Sequence, residues 1–256
     1  MSANHYQIIK NHVGAMLIEL MIAMTIGLLV LSFLLEMYVV SQQSYRLQSA
    51  LIAISDNAKS AFSILRNDIK AAGHIGCARL TPDFPIITHN GYTITTENSL
   101  SATDTELIVR HAELTHVALI GPMQDLMTMQ TNKEIYFSRG DILIISDCRH
   151  AEIFTVKNVI IFHDSQKIIS SFPLRYAYGQ DAEISRMAIN HYFIAKTTRK
   201  NTSALFVKDI KQRTTELVEN VSNMHIVFNG ASVQIDLDFI ASPFKKTWHL
   251  YVAARS

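Results

Sequence analysis

The sequence has almost no net charge, few cysteines and few prolines. These shortages limit the kinds of fold and function that the chain can have. Its 256 residues include 23 Lys and Arg against 22 Asp and Glu, which excludes nucleic-acid binding driven by bulk positive charge. Two cysteines allow one disulfide at most. The hydrophobic fraction of 48% and the charged fraction of 18% indicate a chain that folds around a core and is not disordered.

Catalytic and metal-binding motifs are also missing. The chain has 11 histidines but no His-Glu-x-x-His, no Gly-x-Ser-x-Gly and no glycine-rich phosphate loop. The spacing of His111 and His116 does not place two imidazoles on one helix face, and the region has the pattern of strand and loop. Cys148 and His150 have no second Cys/His pair that would complete a zinc site. We therefore expect a protein that is not an enzyme and that holds no metal or cofactor.

A long apolar segment lies near the beginning of the chain. From Ala15 to Leu35 the only charged residue is Glu19. About 20 apolar residues are enough for a helix to cross the hydrocarbon core of a bilayer. This segment therefore predicts a membrane helix.

The residues before the apolar segment, 1–14, are polar, include Lys10 and end in Gly14. A secretory signal peptide has its cleavage site after the apolar run, at small residues in an A-x-A-like pattern. The residues after Leu35 do not match that pattern. Residues 1–14 instead indicate a short leader that precedes a retained helix.

Glu19 requires an explanation, because a carboxylate at mid-bilayer costs about 2.5 to 3.5 kcal/mol. Two explanations are open. In the first, Glu19 lies near the membrane interface, where the positive end of the helix dipole favours an acid. In the second, the chain is cut after Gly14, and the new amino terminus of Ala15 pairs with the Glu19 carboxylate within or between chains.

The helix continues beyond the apolar segment, since no proline occurs before Pro82. We predict one helix over 15–72, in which 15–40 is apolar on all sides and 41–72 is amphipathic and packs on a domain. Polar residues, Asp68 among them, separate the members of its apolar stripe. That stripe consists of Leu51, Ala58, Phe62, Leu65, Ile69 and Ala72.

Residues 73–256 show short runs of β-branched and aromatic residues separated by turn signals, which predicts one largely antiparallel β domain. Its sheet needs cover for an apolar face, and the stripe of the helix supplies it. The predicted fold class is α+β, a long N-terminal helix packed on an antiparallel β-sheet domain. The predicted strands are 85–95 with a hairpin at Asn90-Gly91, 106–109, 134–137, 141–146, 152–156, 159–162, 191–196, 205–207, 225–228, 233–239 and 248–253.

The sequence 14–23 resembles the processing site of type IV prepilins. It contains a glycine, an acid five positions later and an uninterrupted apolar stretch. The resemblance implies that a prepilin peptidase cuts after Gly14 and methylates the new amino terminus at Ala15. It also implies that Glu19 neutralises the terminal amine of a neighbouring subunit during assembly. Ala15 stands where the family usually has phenylalanine, and Met16 where it usually has threonine or serine.

Four further blocks are similar to PilW-type minor pilins in order and spacing, namely 66–77, 140–148, 191–195 and 216–221. In the last block, Asn220 stands where a glycine is commoner. The resemblance implies a type IV pilin-like fold and a role in starting pilus assembly at the pilus tip, in support of twitching motility, adhesion or DNA uptake.

The same resemblance implies the partners and the location of the protein. The partners are the prepilin peptidase, other minor pilins, the major pilin and a PilY-type tip adhesin, with no direct contact to nucleic acid. The protein is expected in the bacterial inner membrane with a periplasmic β domain before assembly, and in the pilus afterwards.

Cys77 and Cys148 are the two cysteines of the chain. If the membrane helix places the β domain outside the cytoplasm, the compartment is oxidising and a disulfide is expected. Two separate thiols are the alternative. In the loop-entropy model, a disulfide across this separation contributes about 4 kcal/mol.

Two other functions remain open. A J-type pseudopilin of a type II secretion system has the same leader and architecture, and only its partners distinguish it. A membrane-anchored periplasmic enzyme or binding protein would use residues 15–40 merely as an anchor. Its soluble fragment from about residue 41 would then turn over a substrate or bind a ligand by itself.

Overall fold

The computed structural model describes the backbone of residues 5–197, 202–229, 232–241 and 244–253, and side chains from residue 16 onward. Within these ranges the chain forms one helix, α1 (His5–Ala71), and thirteen strands. The strands are β1 (Ile86–Thr88), β2 (Leu100–Ala102), β3 (Leu107–Ala118), β4 (Thr128–Asn132), β5 (Ile142–Ser146), β6 (Ala151–Ile161), β7 (Ser165–Ser170), β8 (Glu183–Lys196), β9 (Ser203–Lys208), β10 (Thr214–Glu219), β11 (Val221–Asn229), β12 (Ser232–Ala241) and β13 (Phe244–Ala253).

The chain divides into two compact units, Met1–Ala53 and Ile54–Ser256. Helix α1 supplies the described part of the first unit and enters the second, where all the strands lie. The prediction of an α+β chain with a long N-terminal helix is confirmed. The helix begins earlier than predicted, because it already includes residues 5–14.

Helix α1 ends where a glycine allows the backbone to turn. Gly73 has φ +71°, a conformation that costs other residues roughly 1–2 kcal/mol. The amide N–H of His74 donates to the carbonyl of Ala71 at 2.8 Å, and that of Ala72 to the carbonyl of Ile69 at 3.2 Å. The carbonyls of Ile69 and Ala71 are thus satisfied as the helix stops.

The second unit buries the apolar stripe of α1. Ala58, Leu65 and Ile69 are fully buried, as predicted. The prediction that Leu51 belongs to a buried stripe is wrong, because Leu51 is 43% exposed. Burial along α1 starts at Ile54, which the predicted stripe did not include. The stripe shares one core with residues of β3, β8, β9 and β10 and with all three strands β11, β12 and β13.

Two sheets form this unit. Ten strands make a large sheet in the order β10-β9-β8-β5-β6-β7-β4, with β3 on β8, β2 on β3, and β1 on β6. Strands β11, β12 and β13 make a second sheet. Every pair is antiparallel except β1 with β6. The largely antiparallel sheet that the turn pattern predicted is therefore confirmed.

Several predicted strands differ from the structure. Residues 134–137 form no strand. Phe137 lies in a loop, and its apolar side chain is buried in a core. The buried Gln166 side chain donates to the carbonyls of Asn132 and Ile135 and holds this loop in place. The apolar residues that predicted a strand here instead reflect the burial of a loop.

The Asn90-Gly91 hairpin is also wrong, because only β1 forms in that region and Gly91 lies in a bend at φ +80°. The Asn90 side chain accepts a hydrogen bond from the amide of Tyr92 at 3.2 Å, which makes a local turn. The predicted strands 152–156 and 159–162 are one strand, β6, with an irregularity between Val156 and Asn158. Strands β2, β4, β7 and β10 were not predicted.

Candidate functional site

The described part of the first unit is a helix with an exposed apolar surface. Every large apolar side chain from Met16 to Val40 is at least half exposed. The helix is long and apolar enough to cross a membrane, and none of its apolar window is buried. Water is a poor environment for such a surface, so lipid or other apolar helices are the environments that suit it.

The hydroxyl groups of this segment are satisfied within the helix. Thr25 donates to the carbonyl of Ile22 and Ser32 to that of Leu28, each at 2.8 Å. Such bonds leave no donor that requires water, so both residues are compatible with an apolar environment.

Glu19 is one of the two acids of residues 16–40 and lies near the start of the apolar segment. Its carboxylate makes no hydrogen bond or ion pair with any residue that the structure describes. It shares a helix surface with Ile22, Ala23 and Ile26. Both explanations, the membrane interface and a new amino terminus, remain predictions.

The predicted processing site, Gly14 and Ala15, lies within α1. The side chain of Ala15 is outside the described residues. Cleavage after Gly14 and methylation of Ala15 stay predictions.

Tyrosines and polar residues follow the apolar segment. Gln42 donates from its amide to the hydroxyl of Tyr38 at 2.9 Å, and Tyr45 is largely exposed. Arg46 comes directly after Tyr45. Tyrosines followed by a basic residue are typical of the level of the lipid headgroups. At about 1.5 Å per residue, 16–40 extends roughly 37 Å and exceeds the roughly 30 Å hydrocarbon core.

A disulfide closes the second unit. Cys77 and Cys148 are bonded, with their Cα atoms 5.5 Å apart. Cys77 lies in the loop after α1, and Cys148 lies in the loop between β5 and β6. The bond joins the end of the helix to the centre of the large sheet, as expected for an oxidising compartment.

The loop that carries Cys148 is shaped by its own aspartate. Asp147 accepts hydrogen bonds from the amides of Arg149 at 2.8 Å and His150 at 2.6 Å. These bonds turn the chain tightly between β5 and β6. The ring of His150 stacks on that of Tyr176, with centroids 4.1 Å apart.

Glu152 is a buried charged group that the sequence prediction treated only as the first residue of a strand. Its side chain is 0% exposed. It accepts hydrogen bonds from the amides of Arg175 at 2.8 Å and Tyr176 at 2.9 Å, and His89 Nε2 lies 2.7 Å away. These contacts hold two loops on β6. An acid inside an apolar strand was the available signal, since such a group is buried only with partners.

Asp68 is a largely enclosed acid with its side chain 11% exposed, and its predicted place on the polar side of α1 is wrong. His111 Nε2 lies 2.8 Å from Asp68 Oδ1, and the Tyr192 hydroxyl donates to Oδ2 at 2.9 Å. Asn190 donates to both oxygens, at 3.0 and 3.1 Å. The carboxylate thus binds α1 to β3 and β8.

Each candidate metal ligand contacts a different residue. His111 contacts Asp68, His116 Nε2 lies 3.5 Å from Glu183, and Cys148 is in the disulfide. Among the residues that the structure describes, no group of three His, Cys, Asp or Glu side chains is arranged to hold a metal ion.

No family model, no curated protein and no solved structure matches this chain. The indications of its function are therefore those of its own residues. The exposed apolar helix with Glu19 and the disulfide-closed β-rich unit are the two features on which a function rests.

Proposed function

We propose that this chain is a PilW-type minor pilin that takes part in starting type IV pilus assembly at the pilus tip. The exposed apolar surface of residues 16–40 is the observation that carries this proposal. Such a surface needs lipid before assembly and other apolar helices afterwards. The proposed fold is type IV pilin-like.

The proposed processing step explains the unpaired acid. A prepilin peptidase cuts after Gly14 and methylates the amine of Ala15. In the fibre, the Glu19 carboxylate of one subunit accepts a hydrogen bond from the charged terminal amine of its neighbour. Pairing offsets the cost of a charge in apolar surroundings, about 2.5 to 3.5 kcal/mol at the centre of a membrane.

Before assembly, the apolar segment anchors the chain in the bacterial inner membrane with the β-rich unit in the periplasm. The Cys77–Cys148 disulfide supports this location, because disulfides persist in oxidising compartments. The proposed partners are the prepilin peptidase, other minor pilins, the major pilin and a PilY-type tip adhesin.

Amino-terminal sequencing and intact mass of the full chain from membranes test this proposal. With an active prepilin peptidase, we expect a chain that starts at Ala15 and is one methyl group heavier than the unmodified sequence. The same chain from cells without the peptidase should start at Met1, as should a Gly14→Val variant. A wild-type chain that starts at Met1 in the presence of the peptidase would contradict the proposal.

Partners distinguish the pilus from a secretion pseudopilus. A J-type pseudopilin shares the leader and the architecture, so processing alone does not separate the two. Cross-linking in the membrane followed by mass spectrometry should capture minor pilins of a pilus. Capture of type II secretion pseudopilins would assign the chain to that system instead.

A further inference from the structure

The inward surface of α1 carries one buried acid among apolar residues. Asp68 lies between Leu65 and Ile69 along the chain, and both of these are fully buried. The side chain of Asp68 is only 11% exposed. A carboxylate in such a place is tolerated only when donors surround it.

Three side chains from two strands supply those donors. His111 comes from β3, and Asn190 and Tyr192 come from β8, which pairs with β3. Asn190 and Tyr192 both donate, so Asp68 acts as an acceptor through both oxygens.

Both ring nitrogens of His111 face acceptors. Nε2 lies 2.8 Å from the Asp68 carboxylate, and Nδ1 lies 2.8 Å from the carbonyl oxygen of Ala112. A neutral imidazole has one proton and can satisfy only one of these acceptors. The surroundings thus assign two protons, and hence a positive charge, to the ring.

The charged and titratable groups around His111 support this state. Burial by itself lowers the pKa of His111, but the hydrogen bond and charge of Asp68, the carbonyl of Ala112 and the charge of Glu113 outweigh it. Together they raise the pKa above its ordinary value. Burial and the charge of Asp68 raise the pKa of Tyr192, so its hydroxyl stays a neutral donor.

We propose that Asp68 and His111 form a proton-dependent latch that holds the last turns of α1 in one register on the sheet. A shift of α1 by one turn would move Asp68 away from its donors and leave an unpaired charge among apolar residues. The purely apolar residues of the stripe do not discriminate between registers in this way. The latch does not depend on the proposed assembly function.

The raised pKa sets the direction of the pH dependence. The stabilisation by protonated His111 is fully present below the pKa of an unfolded histidine, about 6.5. It is lost as the pH rises through the higher pKa of the folded state. The latch is thus closed below about pH 6.5 and loosens as the pH rises through the raised pKa of His111.

Urea unfolding of the full chain in detergent tests the latch, with fluorescence of the single tryptophan, Trp248, as the probe. Trp248 packs against the core that contains the stripe of α1. We expect the urea midpoint of the wild type to fall between pH 6 and pH 9. His111→Gln keeps a donor near Asp68 but does not titrate, so most of this shift should disappear.

His163→Gln is the matched control, because His163 is 98% exposed in the turn between β6 and β7. It should retain the wild-type shift. A His111→Gln variant that retains the full shift would overturn the latch. Nuclear magnetic resonance of the wild-type imidazole gives a second test without substitution. The ring of His111 should titrate above the roughly 6.5 of a free histidine, and a midpoint at or below that value would also overturn the latch.

Discussion

Gly76 lies against Ser146 so closely that a Cβ atom at Gly76 would be 2.7 Å from the Ser146 hydroxyl oxygen. Gly76 directly precedes Cys77 in the loop after α1, and Ser146 is the last residue of β5, two residues before Cys148; the two cysteines are bonded. Gly76 also has φ +102°, which other residues rarely adopt. The absence of a side chain at Gly76 thus allows the loop after α1 to approach β5 closely enough for the disulfide.

Gly76→Ala should destabilise the fold by about 2 kcal/mol, because it adds both a backbone strain and a close contact. Chemical denaturation of the oxidised protein measures this loss. Gly140→Ala is the matched control, since Gly140 has φ +84° but no atom within 4 Å of its Cβ position. That control should cost about 1 kcal/mol. Equal losses for the two variants would show that the contact with Ser146 contributes nothing.

Loss of the Cys77–Cys148 bond should lower the free energy of unfolding by about 4 kcal/mol, since it encloses a separation of 71 residues. Denaturation with and without a reductant measures the difference. The double variant Cys77→Ser and Cys148→Ser should have the stability of the reduced wild type, and the reductant should not change it. An unchanged midpoint of the wild type on reduction would refute the stabilising role of the disulfide.

Asn220 has φ +66° at the junction of β10 and β11. Asn is one of the few residues besides glycine that tolerate this conformation. Asn220→Gly should therefore change the free energy of unfolding by less than about 0.5 kcal/mol, whereas Asn220→Val should cost about 1–2 kcal/mol. Thermal or urea unfolding distinguishes the two variants. If both have the same stability, the backbone conformation of Asn220 is not the constraint at this position.

If the proposed pilin function is right, Glu19→Gln and Glu19→Leu should insert into the membrane but enter fibres poorly. Loss of a charge-assisted hydrogen bond costs about 1.5 to 3 kcal/mol, which corresponds to a drop of roughly tenfold or more in incorporation. Quantitative immunoblotting of sheared fibres and of membranes measures both pools.

Glu36→Gln is the control for the Glu19 variants, because Glu36 is the other acid of the same apolar segment. It should assemble as the wild type does. Equal incorporation of the Glu19 and Glu36 variants would show that Glu19 has no role in assembly. It would favour the explanation that Glu19 lies at a membrane interface.

The strands that were predicted best are those in which local residue types agree with burial. The prediction of 141–146 is close to β5, Ile142–Ser146, because three consecutive β-branched and leucine residues of this run are buried. Strands β4, β7 and β10 were missed because polar residues dominate them, and pairing with a neighbouring strand defines them. Strands β7 and β10 each form a hairpin with the preceding strand, β6 and β9, whereas β4 pairs with the more distant β7.

The sequence by itself determined the apolar segment, the end of α1 before Gly73 and the largely antiparallel β character of the residues that follow. These follow from hydropathy period and backbone preference, which act over a few neighbouring residues. Only the tertiary structure decided which acids are buried. Asp68 has the residue type of a solvent-facing position, and its partners His111 and Tyr192 are 43 and 124 residues away. A charge is buried only where the fold brings donors to it.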